Sequence, residues 1–209
     1  MPPDVTLADV VTRITALSPT PHRRLIAVAG PPASGKSTFA SALAAALRMA
    51  GEETAVVPMD GFHLDDRLLE TDGTKNRKGA PHTFDAPGFV RLVTALQSPD
   101  AVIFPVFDRE REIAIAGAGR VPASCRTVLV EGNYLLLKTP PWCDLHDRWS
   151  LSIALHPPKQ EIVARLRDRW AQHGKPDPMA WIESNDVPNA ATVLTGSTAA
   201  DITLTEAPT

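Results

Sequence analysis

The chain has 209 residues, 22% of them charged, with a formal net charge of −3. That length suits one α/β domain with a substantial core, and the near-balanced charge gives no electrostatic ground for binding nucleic acid. Cys125 and Cys143 lie far apart without C-x-x-C or Cys/His metal spacing, as expected of reduced thiols packed as small apolar groups. No apolar run approaches the ~18 residues needed to span a bilayer, and the N-terminus lacks a basic-then-apolar signal pattern. The expected setting is cytoplasmic, without a membrane partner.

Residues 4–17 place Leu7, Val10, Val11, Ile14 and Leu17 at helical spacing, with Asp4 or Thr6 as cap and Pro19 and Pro21 as the stop. His22-Arg23-Arg24 leads into Leu25–Ala29, a short apolar run of buried-strand type. Residues 38–49 are rich in Ala and Leu and read as helix, with Gly51 as its end. Thr54–Met59 reads as a strand that delivers Asp60 at its carboxyl end. Residues 61–86 are polar and lack a sustained apolar period; a connection that long is either disordered or functional. Helical spacing returns over 88–97. Residues 101–107 are extended, with Pro105 at an irregular end, and 110–121 suggest a small hairpin. Strands follow at 127–130, ending on Glu131-Gly132, and at 151–155; then a helix over 159–172 and a last strand at 201–204. Strands alternating with helices predict an α/β three-layer fold, a mainly parallel central sheet with helices on both faces, in a single domain over 1–209.

Between the first strand and its helix stands Gly30-Pro-Pro-Ala-Ser-Gly-Lys-Ser37, which matches the phosphate-loop pattern G-x-x-x-x-G-K-[ST] at every required position. Strand, glycine loop and helix in that order make an anion site, because loop N–H groups and the helix N-terminus point at the phosphates. Gly30, Ala33, Ser34, Gly35, Lys36, Ser37 and Thr38 are therefore the nucleotide-binding candidates. Lys36 would reach the β- and γ-phosphates and the Ser37 hydroxyl would ligate Mg²⁺. This spacing predicts ATP or a related triphosphate as ligand. Ligands of open α/β sheets bind outside the carboxyl ends of the strands, which is where Asp60 and Glu131 fall. A small-molecule kinase needs a carboxylate to take the acceptor hydroxyl's proton, and Asp60 is placed for it; the alternative is a turn aspartate before Gly61. Glu131 would hold Mg²⁺ through water, or else bond a backbone turn. Arg165 and Arg169 share one edge of the 159–172 helix, as a phosphate-covering lid over 158–175 would require; the alternative is a solvated face. A GTPase is excluded: Asp85-Ala-Pro-Gly88 fits D-x-x-G, but no strand precedes it and N-K-x-D is absent.

Three further stretches carry a resemblance. Met59-Asp-Gly-Phe-His-Leu-Asp65, Arg77-Lys-Gly-Ala-Pro81 with Phe84-Asp85, and Glu131-Gly-Asn-Tyr-Leu135 together resemble the uridine kinase, phosphoribulokinase and bacterial pantothenate kinase group. Within it they most resemble bacterial proteins described as fructose transport system kinases. The likeness spans about 22–205. It implies Asp60 as general base, Lys36 and Glu131 beside it in catalysis, and His63, Arg77, Lys78 and Tyr134 at the acceptor. Pro105-Val-Phe-Asp-Arg109 resembles the P-x-Y-D-x element of uridine kinases, with Phe107 in place of tyrosine; Asp108 and Arg109 then line the pocket. Trp181–Asn185 and Asn189 resemble an Asn-bearing segment of pantothenate kinases. The implied activity is ATP- and Mg²⁺-dependent phosphorylation of a small-molecule hydroxyl, with sugar the favoured acceptor and pantothenate or a nucleoside next. A homodimer is compatible with this reading. A regulatory ATP-binding protein is the alternative of another class.

Overall fold

The computed structural model describes residues 5–18, 23–172 and 177–205. In chain order the elements are α1 (Leu7–Thr15), β1 (Arg24–Ala29), α2 (Lys36–Met49), β2 (Thr54–Pro58), α3 (Asp66–Thr71), α4 (Ala86–Leu96), β3 (Val102–Asp108), β4 (Ile113–Val121), β5 (Thr127–Gly132), β6 (Leu151–Leu155), α5 (Lys159–Gln172), α6 (Pro178–Trp181), α7 (Val187–Gly196) and β7 (Ile202–Leu204). Thr6 caps α1 in a reciprocal box with Asp9. The other expected cap, Asp4, and the expected stops Pro19 and Pro21, with His22, lie outside the described residues.

Among the described residues, five strands form one parallel sheet in the order β2-β5-β1-β6-β7. The two central strands, β1 and β5, are buried almost throughout, as parallel strands covered on both faces must be. Alternation along β1 splits the core into two layers. Ile26 and Val28 join Val10, Ile14, Phe39, Leu43 and Leu47 of α1 and α2. Leu25, Ala27 and Ala29 face the opposite way, with Phe89 and Val93 of α4, Tyr134 and Trp142. This is the three-layer α/β arrangement. A third apolar group, Ala33, Ile162, Leu166, Ile182 and Ala190, seats α5, α6 and α7 against the phosphate loop. Between α6 and α7 the helix continues through a π turn at Ile182–Asp186. No helix among the described residues is long and apolar enough to cross a membrane.

Several elements differ from the sequence expectation. Pro105 is not the end of its strand but lies inside β3, where the pairing with β4 slips between Phe104 and Val106; a bulge in a two-stranded hairpin tolerates the missing N–H. The polar stretch 61–86 is folded into α3 and short 3-10 turns at Lys75–Arg77 and Pro81–Thr83. The D-x-x-G match is a helix start: Asp85 accepts from Gly88 N at 2.8 Å, with a proline in the first turn of α4.

Arg23, 4% exposed, ties these layers together. Its Nε donates to the Cys125 carbonyl (2.9 Å), Nη1 to those of Ser98 and Leu96, and Nη2 to those of Asp100, Pro122 and Pro99. One planar fork thus satisfies the end of α4, the start of β3 and the turn before β5. Replacing Arg23 with Met should cost about 3 kcal/mol in urea unfolding, because buried carbonyls lose their donors. Arg23→Lys should recover only part of this; full recovery would show that charge, not the fork, is what the site needs.

Candidate active site

The loop leaves β1 at Gly30, and α2 begins at Lys36. Ala33 (φ 59°) and Gly35 (φ 88°) take left-handed backbone, a conformation that turns successive N–H groups inward to form an anion cradle. Gly30 meets a different demand: a Cβ there would lie 2.6 Å from Ser34 Oγ and 2.9 Å from the Leu155 carbonyl oxygen. Ser34 Oγ is buried without a hydrogen-bond partner, the kind of orphan that a ligand oxygen relieves.

Lys36 stands between two acids. Burial pulls its ammonium pKa down, and Glu131 and Asp60 pull it back up. Glu131, 5% exposed near the end of β5, is pushed up by burial against the opposing pull of Lys36. Its Oε1 accepts from Ser37 Oγ at 3.0 Å. Asp60 rides on the single 3-10 turn Met59–Phe62 that follows β2. Two glycines fix that turn. A Cβ on Gly61 would lie 2.1 Å from the Pro105 carbonyl oxygen, and one on Gly132 would lie 2.6 Å from Met59 Cβ. Burial alone would raise the Asp60 pKa, but Arg109, Lys36, His63 and Arg169 together hold it below the usual carboxylate range. The Asp60 carboxylate is paired directly with Arg109.

Beyond Asp60 the cleft becomes aromatic. The His63 ring lies 4.1 Å from Phe84 and 4.8 Å from Phe107, centroid to centroid. Burial lowers its pKa to about 4 despite nearby Asp60, so the imidazole is neutral near pH 7, and its Nδ1 is buried without a partner. Lys78 Nζ sits 5.3 Å from the Phe107 ring centroid. On the nucleotide side, Ala33, Gly35, Thr38, Arg165 and Arg169 line a cleft of about 320 Å³. Arg165 donates to the Ser34 carbonyl at 3.1 Å and pairs with Glu161. Arg169 is close enough to Lys36 and Asp60 to shift both.

With this geometry in view, similarity to known proteins becomes informative. No protein-family model matches the chain. A Schizosaccharomyces pombe protein named "Putative uridine kinase C227.14" is 36% identical over 174 residues, 79% of this chain and 73% of that one. The chain belongs to the P-loop kinases of the uridine kinase and pantothenate kinase group. A pantothenate kinase of Mycolicibacterium vanbaalenii is 33% identical over 132 residues, 62% of this chain and 42% of that one. A crystal structure from Silicibacter sp. TM1040, described as a "putative fructose transport system kinase", is 47% identical, with a TM-score of 0.91 over 95% of this chain and 98% of that one. The chain is thus an ATP-dependent phosphotransferase. P-loop kinases use ATP and generally Mg²⁺.

Not every residue selected from the kinase's sequence faces the cleft. Asp108 accepts from the N–H groups of Glu110 (3.0 Å) and Arg111 (2.9 Å) and from Arg111 Nε (2.8 Å), so it shapes the β3–β4 turn. Tyr134 is fully buried and donates its hydroxyl to the Gly79 carbonyl. Arg77 donates to Asn189 Oδ1 at 3.0 Å and to the Ser184 carbonyl, and Asn185 Nδ2 donates to the Lys78 carbonyl at 2.8 Å. Tyr134 and Asn185 therefore hold the Lys78–Gly79 backbone from behind, while Asn189 holds the Arg77 side chain. Sequence reading missed Asp66 and Glu112, which pair with Lys78; Glu112 comes from the turn of a distant hairpin, and no local spacing could have flagged it.

The neutral state of His63 has a measurable consequence. In the unfolded chain a histidine titrates near 6.5, whereas folded His63 resists protonation down to about pH 4. Between those values the unfolded state binds more protons, so stability falls as pH drops through that window. His63→Phe should flatten the fall of Tm between about pH 6.5 and 4 relative to wild type. Equal slopes in the two proteins would mean that the folded imidazole takes up its proton as readily as the unfolded one.

Proposed function

We propose that this kinase transfers the γ-phosphoryl group of ATP to a hydroxyl of a sugar, with Asp60 as general base. What supports it most is one juxtaposition at the carboxyl ends of β1, β2 and β5: Lys36 interacts with both Glu131 and Asp60, and Asp60 in turn acts on Glu131. Asp60 is ionised there, the state required to accept an acceptor hydroxyl's proton. Lys36 and the N–H groups from Ala33 to Thr38 hold the β- and γ-phosphates, and Arg165 and Arg169 border them across the cleft. Arg109 positions the Asp60 carboxylate and is within reach of charge developing on the transferring group.

Ser37 and Glu131 are the residues that would hold Mg²⁺. A hydroxyl 3.0 Å from a buried carboxylate whose proton affinity burial raises suits a hard cation with oxygen ligands. When bound, the metal supplies positive charge to the phosphate oxygens. The acceptor occupies the space by His63, Phe107 and Lys78, with Arg77 and Tyr134 behind it. The sugar assignment draws support from the name of the 47% identical relative. Relatives named as uridine and pantothenate kinases favour a nucleoside or pantothenate as the second reading.

Two measurements test this. Asp60→Asn should lower kcat by about 10²–10⁴-fold while ATP affinity, measured by titration, stays near wild type, since Lys36, Ser37 and the loop amides are untouched. Parallel loss of nucleotide binding and melting temperature would reduce Asp60 to a structural turn residue. Assaying ATP-dependent phosphorylation of fructose, related sugars, uridine and pantothenate should show turnover on a sugar; turnover on uridine or pantothenate alone would select the second reading.

A further inference from the structure

Lys78 is 13% exposed at its side chain and lies over Phe107, whose ring also meets His63 beside Asp60. An ammonium at that position would be the obvious anchor for a carboxylate or phosphate on an acceptor. It is already taken. Asp66 Oδ1 accepts from Nζ at 2.7 Å and Glu112 Oε2 at 3.0 Å. The two acids come from separate elements, Asp66 from the first turn of α3 and Glu112 from the turn between β3 and β4. Glu112 also holds a left-handed backbone, φ 56°, which a non-glycine residue keeps only where its surroundings require it. Asp66 additionally takes Lys75 at 3.2 Å, but Lys75 is exposed and shared with Glu70.

Two neighbouring cations are likewise committed. Arg109 pairs with Asp60, and Arg77 donates to Ser184 and Asn189. What remains unsatisfied and buried is neutral: His63 Nδ1, and Oδ1 of Asn133, a residue 8% exposed just after Glu131-Gly132. The Asn133 atom accepts hydrogen bonds, and a neutral imidazole nitrogen accepts when unprotonated. A hydroxyl, which both donates and accepts, satisfies either atom whichever tautomer His63 adopts, whereas a carboxylate cannot satisfy Asn133 Oδ1.

We propose that Asp66 and Glu112 are specificity-determining residues that neutralise Lys78 from within, so that the kinase selects an uncharged polyol and rejects its carboxylated or phosphorylated counterpart. Attraction to the right acceptor is thereby joined to repulsion of the wrong one. The inference rests on the reading of Asp60 as the base of a hydroxyl-phosphorylating enzyme.

The test uses matched pairs: fructose and fructose 6-phosphate, glucose and gluconate, glycerol and glycerate. Wild type should favour the neutral member at least tenfold in kcat/KM in any pair it accepts. Glu112→Gln, at a side chain 58% exposed, and the double variant Asp66→Asn/Glu112→Gln should cut that preference about tenfold. The change should come through a lower KM for the anionic member, with kcat on the neutral one altered less than about twofold. Calorimetric titration with gluconate should show binding to the double variant and none to wild type. A wild type that prefers the anion, or variants with unchanged preference, would overturn anion exclusion and leave the kinase reading standing. No transfer to any neutral polyol would sink the sugar assignment; equal gluconate binding by wild type and double variant would then overturn this proposal as well.

Discussion

A lysine ammonium drawn out of water at the edge of a sheet is the constraint around which this molecule is arranged. Burial draws the Lys36 pKa down, and Glu131 and Asp60 oppose that pull. Those acids are themselves desolvated and need neutralising in turn, which Lys36 does for both and Arg109 for Asp60. The set is largely buried, the setting in which small movements of charge have large energetic effects.

Backbone proximity, more than side-chain reach, makes that set possible. The parallel sheet brings the ends of β1, β2 and β5 to one edge, and three glycines then remove the last ångströms. Gly30 lets the loop close against β6, Gly61 lets the Asp60 turn meet β3, and Gly132 lets it meet β5. A methyl group at any of them collides with main chain or with a core residue, so the D-G and E-G pairs are steric requirements of the acid beside each glycine.

Much of this was legible in the chain. Asp60 and Glu131 each come at the end of a short apolar run, and Lys36 follows another across the phosphate loop; a run of that type ending in a polar residue points to the carboxyl edge of a parallel sheet. The 159–172 helix was readable because its apolar residues fall at helical spacing. Residues 61–86 were not, since α3 and its neighbouring turns are held by caps and long-range contacts rather than by an apolar period. Asp108 was misleading for a related reason: an aspartate that bonds its own turn looks, in sequence, like one that faces a ligand. Lys78 stood out through the stretch Arg77-Lys-Gly-Ala-Pro81, but its partner Glu112 lies across a hairpin whose register depends on a bulge.

The π turn at Ile182–Asp186 has a bearing on how this chain can change over time. Its wide turn brings Ile182, Asn185 and Asp186 inward together, so that Asp186 meets Trp170 Nε1 at 2.7 Å while Asn185 reaches the Lys78 carbonyl. Loss of a single residue there would restore α geometry and rotate everything on one side by about 100°. Ile182 would leave the core or the two polar contacts would part. The length of this segment is thereby fixed by partners on either side, so that a descendant of this kinase that gains or loses a residue here forfeits one set of contacts.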